Sequence, residues 1–550
     1  MSVLLGLSNS GDATATHRVA ATPIVSTPSI EVIPLVRQAL AFYQAGQFTG
    51  AIDLWQQAAT IYQGRGENLD RALMLSYLSL AYQQLGEWSQ ATEAIGQSLN
   101  LIENSQLTTD NDRLIFAHAL NTRGSFQYAK GNVEAALTTW KRVTELYQQV
   151  DDRDRTLGSL INQAQAQQTL GLFLQARKTL DEVEQILQPQ ADSQLKAIGL
   201  RSLGNIRFLV GDLLNSRRVL EQSLAIAKQL TLSQEMGATL LSLGNVTRAQ
   251  KDSSASLEFY QQVTTADAPI LIKTQAQLNQ LSLLLEMGKP AEARSIVPEI
   301  EALLESLPPS RASIYARINL AQSLQKIETQ TWDTQAIQTL IVAIESAKSL
   351  GDRRAEAYAL GYLGGIYAQT QQWTEARKLS EQALLIAQAL NSPEIAYQWQ
   401  WQLGRILKAQ GQTESASQFY QAAFTSLQSI RGDLIATRPD LQFSFRESVE
   451  PVYREWVDLL LQKSPDPPTQ AELKQAREVI EALQLAELDN FFRTACLEGQ
   501  SVAIDTINQT GTAVIYPIIL PDRLEILLSL PGEPLRQYTT LVSQQQLEDT

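Results

Sequence analysis

Cys496, His17 and His118 are the one cysteine and the two histidines of this 550-residue sequence, and together they could make only one kind of chemistry, a thiolate nucleophile. Such a thiol needs an imidazole within hydrogen-bond reach to take its proton and hold the charge. His17 falls in a Ser-, Thr-, Ala- and Pro-rich start, and His118 lies on a helical pattern hundreds of residues upstream of Cys496. Cys496 follows Phe491, Phe492 and Ala495 on a leucine-rich stretch, so it reads as a small buried hydrophobe, and no catalytic residue is assigned. A single cysteine also permits neither an intrachain disulfide framework nor a cysteine-rich zinc site. No metal and no cofactor is expected. Gly204 and Gly244 stand inside helical patterns and read as packing glycines, not as a phosphate loop.

Charge narrows the partners. With 44 Lys and Arg against 58 Asp and Glu the net charge is −14, and the pI is near 4.9. That balance argues against a phosphate-backbone binder, so no nucleic-acid partner is expected. The apolar patch Val3 to Leu7 has no basic residue ahead of it and does not make a signal peptide. Residues 1–30 read as a disordered tail. No apolar run is long enough to span a bilayer, and the expected setting is cytoplasmic, with the oligomeric state open.

The elements that must position any site are announced by a beat. A glycine or its stand-in recurs at Gly46, Gly86, Gly131, Gly171, Gly211, Lys251, Gly288, Gln371 and Gly411. The spacings are 40, 45, 40, 40, 40, 37, 83 and 40, the 83 being two periods with a degenerate unit between. Around each marker, small and aromatic residues fall at helical spacings on both sides of the break: Ala39 and Phe42 before Gly46, then Phe48, Ala51, Trp55 and Ala58. Each unit is therefore a helical hairpin, with Ala or Gly where two helices approach and an aromatic filling the space beside it. The pattern recurs as Tyr82, Trp88 and Ala91, as Gly364, Trp373 and Ala376, and as Gly404, Ala416 and Tyr420.

These residues resemble the tetratricopeptide repeat in its forty-residue variety. The resemblance implies a mainly α fold, a right-handed α-α superhelical solenoid of about ten hairpins over residues 31–426. It also implies a concave groove lined by the first helix of each hairpin. Reading the positions just beyond the small packing residue and one turn later gives Asn205 and Phe208, Asn245 and Arg248, Arg405 and Lys408, with Arg201 one turn before Asn205. The triplets Leu203-Gly204-Asn205 and Leu243-Gly244-Asn245 resemble those of peptide-binding members, whose asparagines hold the ligand backbone; one amide both donates and accepts. Arg201, Arg248, Arg405 and Lys408 would favour an acidic group on a protein or peptide ligand. Taken singly, such an Asn is more often solvated or bonded to a neighbouring helix, and such an Arg more often sits on a hydrated face. Replacing Asn205 and Asn245 by Ala is expected to weaken binding with little loss of stability.

After the last repeat the composition changes. Residues 427–463 read as a helical connecting arm, 464–469 as a proline-rich linker, and 470–550 as a helix followed by a short β-hairpin, Thr512 to Leu520 and Leu524 to Leu530. A run as apolar as Ala513 to Leu520 needs cover on both faces, so the hairpin reads as the start of a truncated α/β domain. The arm "IRGDLIATRPDLQFSFRESVEPVYREWVDLLLQ", the helix "AREVIEALQLAELDNFFRTACLEG" and the strands "TAVIYPIILPDRLEILLSLPG" look like the junction between repeats and a CHAT domain, a caspase-like fold found after such arrays in bacterial, notably cyanobacterial, proteins. The His and Cys of that family would lie downstream, so nothing is carried over as catalytic. Two functions follow as expectations: a protein- or peptide-binding scaffold that is not itself an enzyme, or the sensor part of a caspase-like protease.

Overall fold

The computed structural model describes residues 32–44, 47–85, 87–170, 172–187, 189, 191–209, 212–327, 330–430, 449–462, 467–492, 513–543 and 546. The expected tail with His17, the first part of the expected arm (431–448), and Cys496 lie outside them. The chain divides into two compact units, Met1–Tyr362 and Leu363–Thr550. Among the described residues there are 22 helices and three strands, and twenty of the helices, from Val32–Gln44 to Thr413–Ser429, follow one another as ten hairpins.

The marker is the turn itself. Gly131, Lys251, Gly288, Gln371 and Gly411 all have left-handed backbone, with φ of 87°, 63°, 69°, 59° and 75°. The amide one residue later donates to the carbonyl five residues back, as Asn132 to Gln127 (2.8 Å), Asp252 to Thr247 (3.0 Å) and Gln412 to Leu407 (2.9 Å). This is the Schellman closure of a helix C-terminus, which reverses the chain in a fixed geometry. The expected degenerate unit closes differently, through Ile327 to Leu324 (2.9 Å). A second left-handed position, at Gly66, Asp151, Thr231, Gly351 and Asn391, turns the chain between hairpins. No residue type marks it, so the sequence hides it.

In several hairpins the residue seven before the marker is small because a large residue nine after it lies on top; Leu281 before Gly288 and Ser380 after Gln371 depart from this pairing. A Cβ at Gly124 would come within 2.6 Å of the Trp140 indole nitrogen, and one at Gly404 within 3.0 Å of the Tyr420 ring. While Trp88 and Trp373 lie elsewhere and are half-buried, Trp55, Trp140, Tyr260 and Tyr420 are all buried at that second position, so the expected aromatic packing holds at those four levels. At that level of burial each large side chain contributes about 2–3 kcal/mol.

In the first unit the core is a series of local clusters, each shared by two or three hairpins, as a linear stack requires. The first helix of a hairpin packs on the first helix of the next, as Asn68–Leu85 on Asp110–Ala129 and Ile270–Glu286 on Arg311–Gln325. Those first helices therefore line the inside of the curve.

The second unit ends differently. The arm helix Glu450–Leu461 and the helix Gln470–Phe492 join the last hairpin in one apolar cluster that also takes in Tyr516, Ile518, Leu520 and Leu527. The expected hairpin is strands β1 (Val514–Ile519) and β2 (Arg523–Ser529), and β3 (Arg536–Leu541) adds a third antiparallel strand. Register pairs Tyr516 with Leu527 and Ile526 with Tyr538. One face of the sheet is thus covered by the chain's own helices, while Ile515 on the other is 62% exposed.

Candidate functional site

Two repeat positions on the first helices carry the polar interior of the first unit, six and nine residues before the marker. They hold Ser125, Gln165, Asn205, Asn245, Ser282 and Gln322 in one row and Thr122, Asn162, Ser202, Ser242, Asn279 and Asn319 in the other, one helical turn apart. The second row is buried throughout, and in the first only Gln165 and Asn205 are half-buried. Rungs join neighbouring repeats: Asn162 Nδ2 donates to Asn121 Oδ1 at 3.3 Å, and Asn279 Nδ2 to Asn245 Oδ1 at 2.7 Å. Tyr260 Oη donates to the same Asn245 oxygen at 2.8 Å. Yet Thr122 Oγ1, Ser125 Oγ, Asn279 Oδ1, Asn319 Oδ1 and Gln322 Oε1 are buried with no partner among the described residues. Each such atom costs roughly 1–3 kcal/mol if it stays unpaired.

The residues expected to line a groove fall into this scheme unevenly. Asn245 is an acceptor within the stack, Arg201 and Phe208 are buried, and Asn205 is half-buried. Arg248 reaches across to the next repeat, with Nη2 on Ser282 Oγ at 2.8 Å and Nε on Glu286 at 3.1 Å. Arg207 pairs with Glu184 at 3.2 Å. The row nine before the marker was missed because Thr, Asn and Ser alternate there; only registering the repeats on their markers exposes it.

Charge is sorted between the two helices of each hairpin. Over the first eight repeats the first helices carry 13 Lys or Arg and 6 Asp or Glu, and the second helices 10 and 16. The inner layer is therefore net positive inside a chain of charge −14. Most of the named cations already have carboxylate partners. The most buried pair is Arg311 with Asp352, at 2.7 Å and with side chains 5% and 1% exposed. Burial alone would lower the Arg311 guanidinium, but Asp352 holds it above its ordinary value.

In the second unit the predicted cations meet the arm. Lys408 Nζ lies 2.7 Å from Asp458 Oδ2, and Arg405, stacked 5.2 Å over the Trp401 ring, lies 3.7 Å from Glu455. Glu455 also accepts from Trp401 Nε1 (2.9 Å) and Tyr420 Oη (2.8 Å). Burial, and then this carboxylate, push the Tyr420 phenol well above its usual range. Trp401 thus faces the arm, and its neighbour Trp399 is core. The other oxygen of Asp458 is 2.8 Å from Arg523 Nη2 on β2. Arg523 in turn holds Glu525 at 2.6 Å, and Glu525 accepts from Thr539 (2.7 Å) and Gln537 (3.1 Å) on β3. A chain of alternating charge thus runs from the last repeat through the arm to the sheet. Arg405 and Lys408 sit three apart on one helix, Glu455 and Asp458 three apart on another, a match the sequence displayed without saying the two would meet.

Residues 355–429 match the tetratricopeptide repeat. They cover the ninth and tenth hairpins by that family's model. No curated protein matches the chain. Among solved structures, BtubC (BKLC) from P. vanneervenii is similar at 16% identity over 42% of this chain and 89% of its own, with a TM-score of 0.32. The human IFIT1 dimer with PPP-AAAA is similar at 13% identity over 77% of this chain and 89% of that one, with a TM-score of 0.43. Likeness at this level transfers no ligand. Among the described residues no helix is long and apolar enough to cross a membrane, and no group of three or more His, Cys, Asp or Glu could hold a metal ion.

Proposed function

We propose that the protein is a polypeptide-binding tetratricopeptide scaffold, not an enzyme, acting in the cytoplasm on an extended segment of a partner protein. The observation that carries this is the double row of amide and hydroxyl groups on the inner helices, repeated once per hairpin. Asn279 Oδ1 and Asn319 Oδ1, one repeat apart, are spare acceptors, and a peptide backbone offers donors at regular intervals. A nucleic-acid backbone offers phosphates instead, and the inner cations that would meet them, Arg207, Arg248 and Arg311, are engaged by Glu184, Glu286 and Asp352. Asn205 and Arg201 are the predicted groove residues that keep a place in this reading; Asn245, Arg248 and Phe208 support the wall. The test is selection of linear peptides on the full chain from a random displayed library. Recovered peptides should lose at least tenfold in affinity with Asn279→Ala and Asn319→Ala together. Recovery of nothing, or of peptides indifferent to both substitutions, would sink the proposal.

A second reading is favoured by one observation, the ionic chain from Lys408 through Asp458 to Arg523. In it the repeats are the sensor of a CHAT-type caspase-like protease, and the arm passes a displacement of the last repeat to the sheet. Slower hydrogen exchange in β2 on adding a repeat-bound peptide would support it. Exchange in β2 that stays unchanged when the peptide binds would count against it.

A further inference from the structure

Two contacts in the first unit join residues far apart in sequence. The Trp88 indole N–H, at the start of the second helix of the second repeat, donates to the Pro309 carbonyl at 3.1 Å, across 221 residues. A Cβ at Gly131, the turn of the third repeat, would fall 2.5 Å from Arg311 Nη1 and 2.8 Å from Asp352 Cγ. Pro309 and Arg311 open the eighth repeat, and Asp352 sits in the turn that opens the ninth. The stack has therefore turned through a full circle in about five repeats, and the edge carrying the hairpin turns meets the edge carrying the helix starts.

This seam is built as a fitted contact. Gly131 has no side chain, and its φ of 87° presents the bare turn to the Arg311–Asp352 pair. Tyr128 from the third repeat and Tyr315 and Tyr358 from the eighth and ninth lie within electrostatic reach of the same guanidinium. Asp352 Oδ1 also caps the next helix, accepting from the Ala355 amide at 3.0 Å. Trp88 is held against Phe126, with ring centroids 6.1 Å apart. Behind the seam, the inner rows that would hold a peptide are buried almost throughout.

We infer that the seam is a latch, and that the inner face of the first unit takes a polypeptide only after Trp88 and Gly131 part from Pro309, Arg311 and Asp352. This rests on the proposed function, since it assigns the way into that same face. The closed state leaves Asn279, Asn319 and Gln322 acceptors unpaired, and a peptide entering between the parted edges would pair them, so that binding and opening favour each other.

The test uses the full chain with Cys496→Ser and a cysteine at each side of the latch, Trp88→Cys and Pro309→Cys. Oxidised, this protein should carry a disulfide across the seam; reduced, it should not. Linear peptides selected on the reduced form should bind the oxidised form at least tenfold more weakly and recover on adding reductant. Hydrogen exchange in Ile270–Glu286 and Arg311–Gln325 should slow on oxidation. Equal peptide binding in both redox forms would overturn the latch while leaving peptide binding intact. If no peptide is recovered, the exchange result still judges the latch: unchanged exchange rejects it, and slower exchange keeps the gate while rejecting the peptide. Oligonucleotides bound only by the reduced form would also reject the peptide as occupant. Asp352→Asn, which keeps the shape and weakens the ion pair, should raise peptide affinity; a fall in affinity with intact helical signal would overturn the latch.

Discussion

The two units use one hairpin grammar and join their parts in opposite ways. In the first, neighbouring repeats are linked chiefly by neutral rungs, Asn to Asn and Ser to Thr, as between Thr144 and Ser159 at 2.6 Å and Ser223 and Thr239 at 3.2 Å. In the second, the last repeat, the arm and the sheet are linked by ions: Lys408, Asp458, Arg523 and Glu525 in sequence. A neutral rung can be repeated at every level of a stack, since no level must find a countercharge. An ionic joint serves one place only, because a misplaced partner leaves a buried charge. The first unit can thus vary in length; the second is fixed in register.

Asp352→Ala tests where that contrast fails, because the seam is the one deeply buried ion pair of the first unit among those described. Arg311 would remain buried without its partner, and the Ala355 amide would lose its cap, so we expect a loss of about 3–5 kcal/mol. Arg311→Met with Asp352→Leu should recover most of it. A repeat array unfolds in parts, so hydrogen exchange of the eighth and ninth repeats is the measurement. A loss below about 1 kcal/mol would show the pair to be solvated and the seam open.

Asp458→Ala should come next, at about 1.5–3 kcal/mol. Arg523 keeps Glu525, while Lys408, one-third exposed, can turn to water. Exchange should rise together in β2 and in Pro393–Ala409. A rise on one side alone would mean that Asp458 does not couple them.

Asn245→Ala is a smaller and more pointed case. The sequence reading had Asn205 and Asn245 as equivalent ligand-holders whose removal would spare stability. The structure separates them: Asn245 accepts from Tyr260 and Asn279, so its loss leaves two buried donors unpaired and costs about 1–3 kcal/mol. Asn205, half-buried, should stay within about 0.5 kcal/mol. Equal effects in urea titrations of the two variants would restore the original equivalence.

What was legible follows from what repeats. The marker recurs at nearly every level, and at most levels a small residue seven before it is paired with a large one nine after, so about ten hairpins could be counted from spacing. The β-strands were legible from their apolar runs, but β3, Arg536–Leu541, has the sequence RQYTTL and no apolar alternation to announce it. In β2 the sequence misleads outright: Arg523 and Glu525 face the core beside Leu527, while Leu524, Ile526 and Leu528 lie on the more open face. Arg523 and Glu525 can lie on the covered face because they are neutralised by each other and by Asp458. Contacts such as Trp88 with Pro309 depend on the curvature summed over five repeats, which no local pattern records.

The smallest expected effect asks whether the shared grammar is truly shared. Lys251 in the first unit and Gln371 in the second stand where other repeats have glycine, both exposed and both with left-handed backbone. A side chain there costs about 1–2 kcal/mol against its preferred conformations, and glycine returns roughly 0.5–1 kcal/mol of that through the freer unfolded chain. Lys251→Gly and Gln371→Gly should therefore each stabilise their own hairpin by about 0.5–1 kcal/mol, equally in the two units, as read by exchange of Ser233–Ala249 and Arg353–Gln369. A gain in one unit alone would place the difference between them in the turns themselves, and the contrast between neutral rungs and ionic joints would then be secondary.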